Sequence, residues 1–361
     1  MLSEDMILSL KMLLATFVFS ACIMQVMKKV AHHIGAIDIP RSDEGNRHIH
    51  KRPIPKLGGV GIFLAFIFGY MLFGGHSIKM NAILIGSFII ILTGMIDDIS
   101  DLRALHQLVA QVVAASIVVF YGKITLSTLT IFGTTLDFGI LTELITIFFI
   151  VACINIINFT DGLDGLAGGV TSIFYITTAI ICFYQGRLGT LEMTLTMLML
   201  GSTLGFLLHN FYPAKIFAGQ CSMFMGFMIS IICLLGFKGT ALTSLFVPIV
   251  ILAVPILDTL FAIIRRALKG QPIFKADKFH LHHQLLGMNF SHRTTVLLIY
   301  LINILFAFTS ILYVLKDSKA AAIIYIILTI LVIWFVCYTN IITDKKPPQL
   351  KTIKTKLKKK K

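Results

Sequence analysis

Residues 155–169 read Asn-Ile-Ile-Asn-Phe-Thr-Asp-Gly-Leu-Asp-Gly-Leu-Ala-Gly-Gly and join two long apolar runs. They carry two carboxylates, Asp161 and Asp164, and an ionised side chain in or beside hydrocarbon is costly enough to indicate function. The glycines of the stretch disfavour a regular helix and let backbone or a bulky ligand approach closely. In a helix the two aspartates would share one face, because they are three residues apart. A glycine-rich turn with solvated aspartates is the alternative interpretation.

The composition is that of an integral membrane protein. Of the 361 residues, 57% are hydrophobic and 13% are charged, and the mean hydropathy is +0.90. A soluble domain has about one quarter charged residues, and the chain contains no long polar stretch that could form such a domain. We therefore predict one helical membrane domain over residues 1–340, followed by a basic tail at 341–361.

Apolar runs close to the ~20 residues that span a bilayer predict an all-α polytopic membrane protein with eleven transmembrane helices. Eleven spans place the two termini on opposite sides of the membrane. Of the 31 Lys and Arg residues, 24 fall in the segments on one side and seven on the other. The positive-inside rule then predicts that the N-terminus is outside and the C-terminus is cytoplasmic. The predicted spans are at about 12–27, 57–75, 81–96, 104–121, 141–159, 166–184, 190–208, 221–237, 240–263, 294–315 and 320–340.

Two segments outside the spans have distinct compositions. The tail ends in Lys-Leu-Lys-Lys-Lys-Lys at 356–361, which favours attraction to anionic lipid headgroups. The tail has no aromatic residues between its lysines, so no nucleic-acid partner is expected. The loop at about 122–140 is rich in Thr and β-branched residues and predicts a small hairpin outside the membrane, to which we assign no chemistry.

The acids and histidines cluster on the predicted cytoplasmic side. Ten of the eleven histidines are at or near that face, and so are three groups of aspartates. Carboxylates and imidazoles that converge beside a basic rim are typical of a metal-assisted reaction on a phosphorylated substrate. The aspartates concerned are Asp97, Asp98, Asp101, Asp161, Asp164 and Asp258.

Asp97 and Asp98 are adjacent at the end of the third predicted helix. Neighbouring carboxylates repel each other, so such a pair favours a cation or a basic partner. Mg²⁺ with phosphate oxygens is a suitable partner, because hard carboxylates suit a hard ion that keeps several waters. A solvated helix end is the alternative, although acids at a helix C-terminus oppose the helix dipole.

Three imidazoles, those of His280, His282 and His283, lie in the longest cytoplasmic loop. They could bind a transition metal, or they could bind pyrophosphate together with nearby basic residues. No cysteine or His-Glu spacing of a zinc enzyme accompanies them, so the phosphate role is preferred. The nearby basic residues are Lys275, Lys278 and Arg293.

The approach to the second helix, residues 48–59, contains prolines, lysines and a glycine pair. Pro53 and Pro55 stiffen this segment. Gly58 and Gly59 keep the start of the helix slim and are expected to leave its amide groups accessible to an anion. An ordinary positively charged cytoplasmic loop is the alternative.

Taken together, these segments resemble the polyprenyl-phosphate N-acetylhexosamine-1-phosphate transferases of the glycosyltransferase 4 family. Those membrane enzymes start peptidoglycan, teichoic-acid and O-antigen lipid intermediates. The resemblance runs from about residue 30 to 300, with the motifs in order. Asn210-Phe-Tyr-Pro-Ala-Lys-Ile-Phe and the predicted eleven helices are similar to the UDP-GlcNAc branch that primes wall teichoic acid or O-antigen synthesis. The most specific segments are Asp97-Asp98, Asn155 to Gly168, Val254 to Arg266, and His280 to His283.

The resemblance implies a multi-pass enzyme of the bacterial cytoplasmic membrane. Such an enzyme would transfer GlcNAc-1-phosphate from UDP-GlcNAc to undecaprenyl phosphate and release UMP, with Mg²⁺ as the cofactor and Mn²⁺ as a substitute. The expected partners are these two substrates and anionic lipids at the basic tail. A homodimer is a further expectation.

The resemblance also implies roles for individual residues. Asp97 and Asp98 would orient the lipid phosphate or assist Mg²⁺, and Asn158 would offer a side-chain oxygen to the metal. Asp161 and Asp164 would bind the uridine diphosphate end or the metal shell. The residues expected to complement phosphate charge are Lys56, Arg265, Arg266, His280, His282 and His283.

One position departs from the pattern of the family. There the Pro-Ala-Lys-Ile-Phe segment continues with a Gly-Asp pair whose aspartate binds Mg²⁺, whereas this chain has Gln220 at that position. The following glycine is absent, and the spacing to Gly226 is one residue short. Glutamine offers a neutral oxygen without charge. An impaired homologue that acts as a scaffold or regulator is therefore one alternative to an active enzyme.

A transporter of lipid-linked sugars or ions is the other alternative. Transporters place their buried acids within helices and in both halves of an internal repeat. This sequence has no such repeat, and its polar clusters fall on one predicted face. The transferase interpretation is therefore preferred.

Overall fold

A computed structural model describes residues 3–39, 53–131, 134–236, 253–268, 281–315 and 318–338. The chain divides into two units, Met1–Ile249 and Val250–Lys361, and each is considered separately below. The prediction of one domain over residues 1–340 with a tail at 341–361 stays a prediction.

The first unit is a bundle of α-helices, which follow the predicted apolar runs closely. A π-helical turn at Ile117–Tyr121 extends α4, and 3₁₀ turns at Gly139–Leu141 and Gly219–Ser222 precede α5 and α8. The helices of this unit within the described residues are α1 Glu4–Ile34, α2 Gly58–Phe73, α3 Ile78–Ser100, α4 Ala104–Ser116, α5 Thr142–Thr160, α6 Leu166–Tyr184, α7 Leu191–Asn210 and α8 Met223–Gly236.

The second unit contains α9 Ala253–Leu268, α10 Leu281–Gly287, α11 His292–Leu315 and α12 Ser318–Tyr338. Helix α9 covers the second half of the predicted span at 240–263, whose first half lies outside the described residues. The seven-residue helix α10 was not predicted, because the segment was expected to be a loop. Such a short helix lacks the long apolar run on which the predictions depended.

Eight helices in the described part of the chain are long and apolar enough to cross a membrane. They include α1, whose 31 residues exceed the predicted run, whereas α2 has 16 residues and is shorter than the ~20 that span a bilayer. The protein is thus an α-helical polytopic membrane protein.

The ends of α1 and the start of α3 are set by capping residues. Helix α1 begins where the Ser3 hydroxyl accepts a hydrogen bond from the Met6 N–H at 3.3 Å, and it ends at Gly35 with φ +79°. A serine at the N-cap satisfies an amide that has no partner within the helix, and glycine adopts the left-handed conformation of the C-terminal cap without steric cost. Ser77 caps α3 in the same way, at 3.1 Å from the Met80 N–H.

Helices α1 and α7 pack closely through small residues. The Ser20 hydroxyl donates to the Ser202 carbonyl at 2.6 Å. At Gly201 a Cβ atom would collide with the Thr16 hydroxyl and the Leu13 carbonyl of α1. Small residues that allow close backbone approach are typical of helix contacts in membranes, where hydrophobic burial between helices contributes little.

Helix α8 forms the centre of the first unit. All of its side chains except Leu235 are buried, and it packs against α2, α3, α5, α6 and α7. A helix that is apolar all round is stable only when protein or lipid covers every face. The segment that leads into α8 is consequently held in place by the surrounding helices.

Two short antiparallel strand pairs complete the described fold. Strands β3 (Thr128–Ile131) and β4 (Thr134–Asp137) pair with each other, which confirms the predicted hairpin at 122–140. Strands β1 (Ile37–Asp38) and β2 (Ile54–Pro55) also pair, and the Lys56 N–H donates to the Ala36 carbonyl at 3.0 Å. The second pair holds the segment before α2 against the end of α1.

Candidate active site

Backbone hydrogen bonds join the segment before α8 to the start of α2. The Phe217 N–H donates to the Pro55 carbonyl at 2.8 Å, while the N–H groups of Gly58 and Gly59 donate to the carbonyls of Phe217 and Ala218 at 2.8 and 3.1 Å. The glycine pair therefore permits close approach, as predicted. The expectation that its amides bind an anion is wrong for Gly58 and Gly59, because backbone carbonyls already accept both hydrogens.

Asp98 lies at the end of α3 and contacts the same segment. Its Oδ2 accepts a hydrogen bond from the Gln220 N–H at 3.0 Å, and the carboxylate is mostly buried. Gly219, with φ +68°, makes this contact feasible, because a Cβ atom there would collide with Asp98 Oδ2 and the Lys56 carbonyl. The α3 end and the 216–222 segment thus meet at Asp98.

The Asn158 side chain joins this cluster from α5. Its Nδ2 donates to Gln220 Oε1 at 2.8 Å, with the two amide orientations assigned from the hydrogen-bond network. Asp98, Asn158 and Gln220, which are predicted to be metal ligands, therefore lie together although each is 60 or more positions from the next in the chain. We call these three residues the amide–carboxylate cluster.

Asp161 and Asp164 occupy a turn between α5 and α6. Helix α5 ends at Thr160 and α6 begins at Leu166, so the two aspartates do not share a helical face. Gly165 adopts φ +80°, which interrupts the helix. The turn interpretation holds, but both aspartates are half-buried rather than fully solvated.

Hydrogen bonds from the end of α7 hold this turn. The Ala214 N–H donates to Asp164 Oδ2 at 2.9 Å, and the Gly165 N–H donates to Asn210 Oδ1 at 2.9 Å. Asn210 Nδ2 in turn donates to the Ile216 carbonyl at 2.9 Å. Asn210, which received no role from the sequence, therefore fixes the Asp164 turn against the segment that leads to Gln220.

The acids are electrostatically connected. The charge of Asp161 acts on Asp98, and the charge of Asp164 acts on Asp161. Removal from water, followed by repulsion from Asp164, raises the pKa of Asp161 to about 7. A cation placed beside Asp161 would favour its ionised form and lower that pKa.

The Asp97 side chain contacts a different part of the chain from that contacted by its neighbour Asp98. Its Oδ1 accepts a hydrogen bond from the Leu102 N–H at 2.5 Å, and the Gln107 side chain also hydrogen-bonds to it. These contacts stabilise the turn between α3 and α4 and offset the unfavourable position of an acid at a helix C-terminus. Asp97 is thus a turn-stabilising residue in the structure, and its predicted catalytic role stays a prediction.

Lys56 supplies positive charge to this group of acids. Its charge acts on both Asp97 and Asp98, and the side chain is half-buried. A lysine close to two carboxylates can remain beside an anionic substrate when a metal ion neutralises the acids. The predicted placement of Lys56 near phosphate charge is therefore compatible with the geometry.

The donor atoms of the site suit Mg²⁺ in chemical type. Among the residues that the structure describes, no three His, Cys, Asp or Glu side chains come together to hold a metal ion. The amide–carboxylate cluster instead offers one carboxylate and two amide oxygens, and Asp161 adds a second carboxylate nearby. Hard oxygen ligands with room for water are what Mg²⁺ requires. Gln220 contributes no charge, so this set is less anionic than that of the family.

The remaining predicted residues belong to the second unit. Arg265 and Arg266 are on α9, where Arg266 is mostly buried, and His282 and His283 are on α10. His280 lies outside the described residues. The placement of these five residues beside the acids stays a prediction.

A polar pair between α4 and α5 received no role from the sequence. Asn155 Nδ2 donates to Gln111 Oε1 at 2.7 Å, and Gln111 Nε2 contacts the Met223 sulfur at 3.2 Å. Gln111 is 2% exposed, and a polar side chain within an apolar run is the signal that could have identified it. This pair ties α4 and α5 to the first residue of α8.

Comparisons with known proteins agree with this site. The sequence profile described as Glycosyl transferase family 4 matches residues 80–237, a range that contains the amide–carboxylate cluster, Asp161 and Asp164. A decaprenyl-phosphate N-acetylglucosaminephosphotransferase of Mycobacterium tuberculosis (strain ATCC 25618 / H37Rv) is 34% identical over 312 residues, which are 76% of this chain and 75% of the relative. The undecaprenyl-phosphate alpha-N-acetylglucosaminyl 1-phosphate transferase of Escherichia coli (strain K12) is 27% identical over 308 residues, or 83% and 82%.

A third relative matches along nearly the whole chain. It is named a probable undecaprenyl-phosphate N-acetylglucosaminyl 1-phosphate transferase of Bacillus subtilis (strain 168), and it is 37% identical over 360 residues. The match covers 98% of this chain and 98% of the relative. With that identity over both full lengths and the profile match across the site, the chain belongs to glycosyl transferase family 4.

Proposed function

We propose that the protein transfers GlcNAc-1-phosphate from UDP-GlcNAc to undecaprenyl phosphate and releases UMP. The observation that carries the proposal is the amide–carboxylate cluster, held beside Asp161 at one end of an apolar helix bundle. The names of the relatives in Bacillus subtilis and Escherichia coli describe the same class of transfer.

The reaction exchanges one phosphoanhydride bond for another. A phosphate oxygen of the lipid forms a bond to the β-phosphorus of UDP-GlcNAc, and the bond from that phosphorus to the bridging oxygen breaks. UMP leaves with the bridging oxygen and its electron pair. The lipid phosphate is already anionic near neutral pH, so no strong general base is required, and catalysis depends on positioning and charge neutralisation.

The site residues support Mg²⁺ as the cofactor, with Mn²⁺ as a substitute. Asp98, Asn158, Gln220 and Asp161 would hold the ion, which supplies neutralisation of the diphosphate charge when bound. Asp164, fixed by the Ala214 amide, would position the uridine diphosphate end. Lys56 would remain beside the acids and attract the lipid phosphate.

Further residues complete the proposed site. Asp97 would maintain the α3–α4 turn beside the lipid phosphate. The residues proposed to complement diphosphate charge from the second unit are Arg265, Arg266, His280, His282 and His283.

The alternatives are less well supported. A scaffold or regulatory role is favoured only by Gln220, whereas similarity to transferases extends over 98% of the chain. A transporter would require buried acids in both halves of an internal repeat. In the first unit Asp98, Asp161 and Asp164 instead act on one another around the end of α3 and the α5–α6 turn, and the buried Glu192 of α7 is paired with Arg187. The enzyme interpretation is therefore the one we adopt.

We further propose the finer membrane arrangement that the sequence predicts. It has eleven spans with the N-terminus outside and the C-terminus in the cytoplasm, within the bacterial cytoplasmic membrane. This orientation would place the acids where nucleotide sugars occur. The basic tail at 341–361 would contact anionic lipids, the product would prime wall teichoic acid, and the enzyme would act as a homodimer.

An assay of the purified full-length protein tests the proposal. The protein is incubated with UDP-GlcNAc and undecaprenyl phosphate, with Mg²⁺ or with a chelator, and both UMP and the lipid-linked sugar are quantified. We expect equal amounts of the two products, formed only with the metal and strongly reduced in Asp98→Asn. Absence of the lipid product in a well-folded preparation across a wide range of Mg²⁺ concentrations would overturn the proposal.

A further inference from the structure

A basic cluster lies on the opposite side of α7 from the proposed active site. His209 and Asn210 are consecutive, but Asn210 faces the Asp164 turn whereas His209 faces α1. His209 Nε2 is 2.9 Å from the Ala21 carbonyl, and His209 Nδ1 is 3.2 Å from Lys28 Nζ. We call Lys28, His209 and Lys215 the α1–α7 basic cluster.

The hydrogen bonds define the protonation of His209 in this cluster. A carbonyl oxygen only accepts, so His209 Nε2 carries the hydrogen that is donated to Ala21. An ammonium group only donates, so His209 Nδ1 accepts from Lys28. The imidazole is therefore neutral, and its contribution is to orient the Lys28 ammonium rather than to add charge.

Among the described residues, the Lys28 ammonium has two hydrogen-bond partners, which leaves one of its three hydrogens for a further acceptor. It donates to Gln25 Oε1 at 3.2 Å and to His209, and neither partner carries a negative charge. In the described part of the chain, the charges that act on Lys28 and His209 are those of lysines. The backbone N–H of Lys215 donates to the His209 carbonyl at 2.8 Å, and the charge of Lys215 acts on Lys28. Two lysines thus neighbour His209, and within the described residues neither of them forms an ion pair with a carboxylate.

An anion would stabilise this arrangement. Two neighbouring ammonium groups repel each other, and an anionic group between them would accept from both and replace repulsion with attraction. Lys28 is half-buried and already oriented by two neutral side chains. Little side-chain freedom would be lost when Lys28 binds an anion, which favours binding.

The surroundings indicate that the anion belongs to a lipid. Apolar side chains next to His209 are exposed, namely Leu208 at 61% and, one turn further on, Phe211 at 38%. Exposed apolar side chains on a helix that is long and apolar enough to span a bilayer face the acyl chains. A lipid whose phosphate contacts Lys28 and Lys215 would therefore extend its acyl chains along Leu208 and Phe211.

We propose that the α1–α7 basic cluster binds the headgroup phosphate of an anionic phospholipid. The net charge favours a headgroup such as phosphoglycerol over phosphocholine, because the amine of the latter would meet two lysines without an acid. The site lies at the same end of the bundle as the acids but on the other side of α7. It is thus a lipid site separate from the proposed transfer reaction.

Native mass spectrometry of the delipidated full-length protein tests this site. Phosphatidylglycerol, phosphatidylcholine and undecaprenyl phosphate are titrated separately into wild type, Lys28→Gln/Lys215→Gln and Lys29→Gln. Lys29 is the matched control, since it lies next to Lys28 on α1, is exposed and has the same charge. A thermal unfolding temperature close to that of wild type shows that each variant is folded.

We expect the double variant to bind phosphatidylglycerol about tenfold more weakly, because each lysine near an anionic lipid contributes measurably to binding. Lys29→Gln should remain within about twofold of wild type, and phosphatidylcholine should bind weakly to all three proteins. If Lys29→Gln loses as much affinity for phosphatidylglycerol as the double variant does, the lipid is attracted by positive charge in general and not by this cluster. That result would overturn the proposal. If the double variant loses affinity only for undecaprenyl phosphate, the cluster binds the substrate of the proposed reaction. That result would also overturn the proposal.

Discussion

The Asn158 side-chain amide donates to Gln220 Oε1 at 2.8 Å, so two neutral side chains meet where the family is expected to place a charged metal ligand. Gln220 also donates its backbone N–H to Asp98. The members of the amide–carboxylate cluster are consequently hydrogen-bonded to one another. An aspartate at position 220 would instead add a carboxylate near Asp98 and Asp161, and that arrangement would require a cation.

Gln220→Asp should increase the affinity of the site for Mg²⁺. An additional negative ligand attracts the ion more strongly, so the Mg²⁺ concentration for half-maximal turnover should fall, by about tenfold. The measurement is UMP release against Mg²⁺ concentration at saturating UDP-GlcNAc and undecaprenyl phosphate. Gln220→Asn is the matched control, since it shortens the side chain to the length of aspartate without adding charge.

The chain is also one residue short in this segment, so a second protein with a glycine inserted after position 221 should accompany Gln220→Asp. The lower Mg²⁺ requirement should appear in at least one of the two proteins and not in Gln220→Asn. An unchanged Mg²⁺ dependence in both, with the proteins folded, would contradict a ligand role for position 220.

Much of the helical framework could be predicted from apolar run length alone. Helix α6 occupies Leu166–Tyr184, which equals the predicted span at 166–184. Helix α1 extends well beyond 12–27 because its ends depend on the caps at Ser3 and Gly35, and those polar turns carry no hydropathy signal. Run length indicates where a helix crosses the membrane but not where its hydrogen bonding ends.

The site could be predicted only in part. The resemblance grouped Asp98, Asn158 and Gln220, and the structure brings them together. Sequence could not separate Asp97 from Asp98, because the directions of adjacent side chains depend on which turn or loop packs against each one. Gln111 was missed for a related reason, since its partner Asn155 is 44 residues away in the chain.

Asp98→Asn should reduce turnover at least about 100-fold, the scale expected when a preorganised electrostatic contact of about 2.7 kcal/mol is lost. The fold should persist, because the side-chain oxygen of the introduced asparagine can still accept from the Gln220 N–H. Steady-state kinetics and the unfolding temperature are measured together. Near-normal turnover would remove Asp98 from the mechanism.

Asp97→Ala should affect stability more than Asp98→Asn does. The partly buried Leu102 N–H would lose its acceptor, and the cost should lie near the lower end of the about 1–3 kcal/mol of an unsatisfied buried donor. We expect a lower unfolding temperature and easier proteolysis at the α3–α4 turn. Asp97→Asn is the control, since its side-chain oxygen can still accept and should preserve most of the stability. An unfolding temperature for Asp97→Ala equal to that of wild type would contradict the turn-stabilising role.

Single cysteines should report the proposed orientation of the chain. A membrane-impermeant thiol reagent applied to intact cells should label Thr130→Cys in the hairpin and should not label Lys275→Cys. Both are introduced into a background without native cysteines, and labelling of permeabilised cells shows that each site is reactive. The reverse pattern would place the acids on the side without nucleotide sugars.

The stability of the metal-free protein should depend on pH through Asp161. The folded protein raises the pKa of Asp161 to about 7 from an ordinary value of 3.8. Between these two values the folded state therefore binds more protons than the unfolded state, and stability falls as pH rises. In wild type we expect the unfolding temperature to decline between about pH 5 and about pH 7, and Mg²⁺ should reverse the decline by stabilising the ionised carboxylate.

Asp161→Asn isolates this contribution, because the variant has no proton to lose at that position. Its unfolding temperature should decline less over the same pH range and respond less to Mg²⁺. The buried thiols of Cys153, Cys182, Cys221 and Cys233 permit a direct measurement, since a thiol-reactive fluorophore reaches them only when the first unit unfolds. If the unfolding temperature depends on pH equally in wild type and Asp161→Asn, other groups cause the decline. Asp161 would then not be the group at which protons and Mg²⁺ compete.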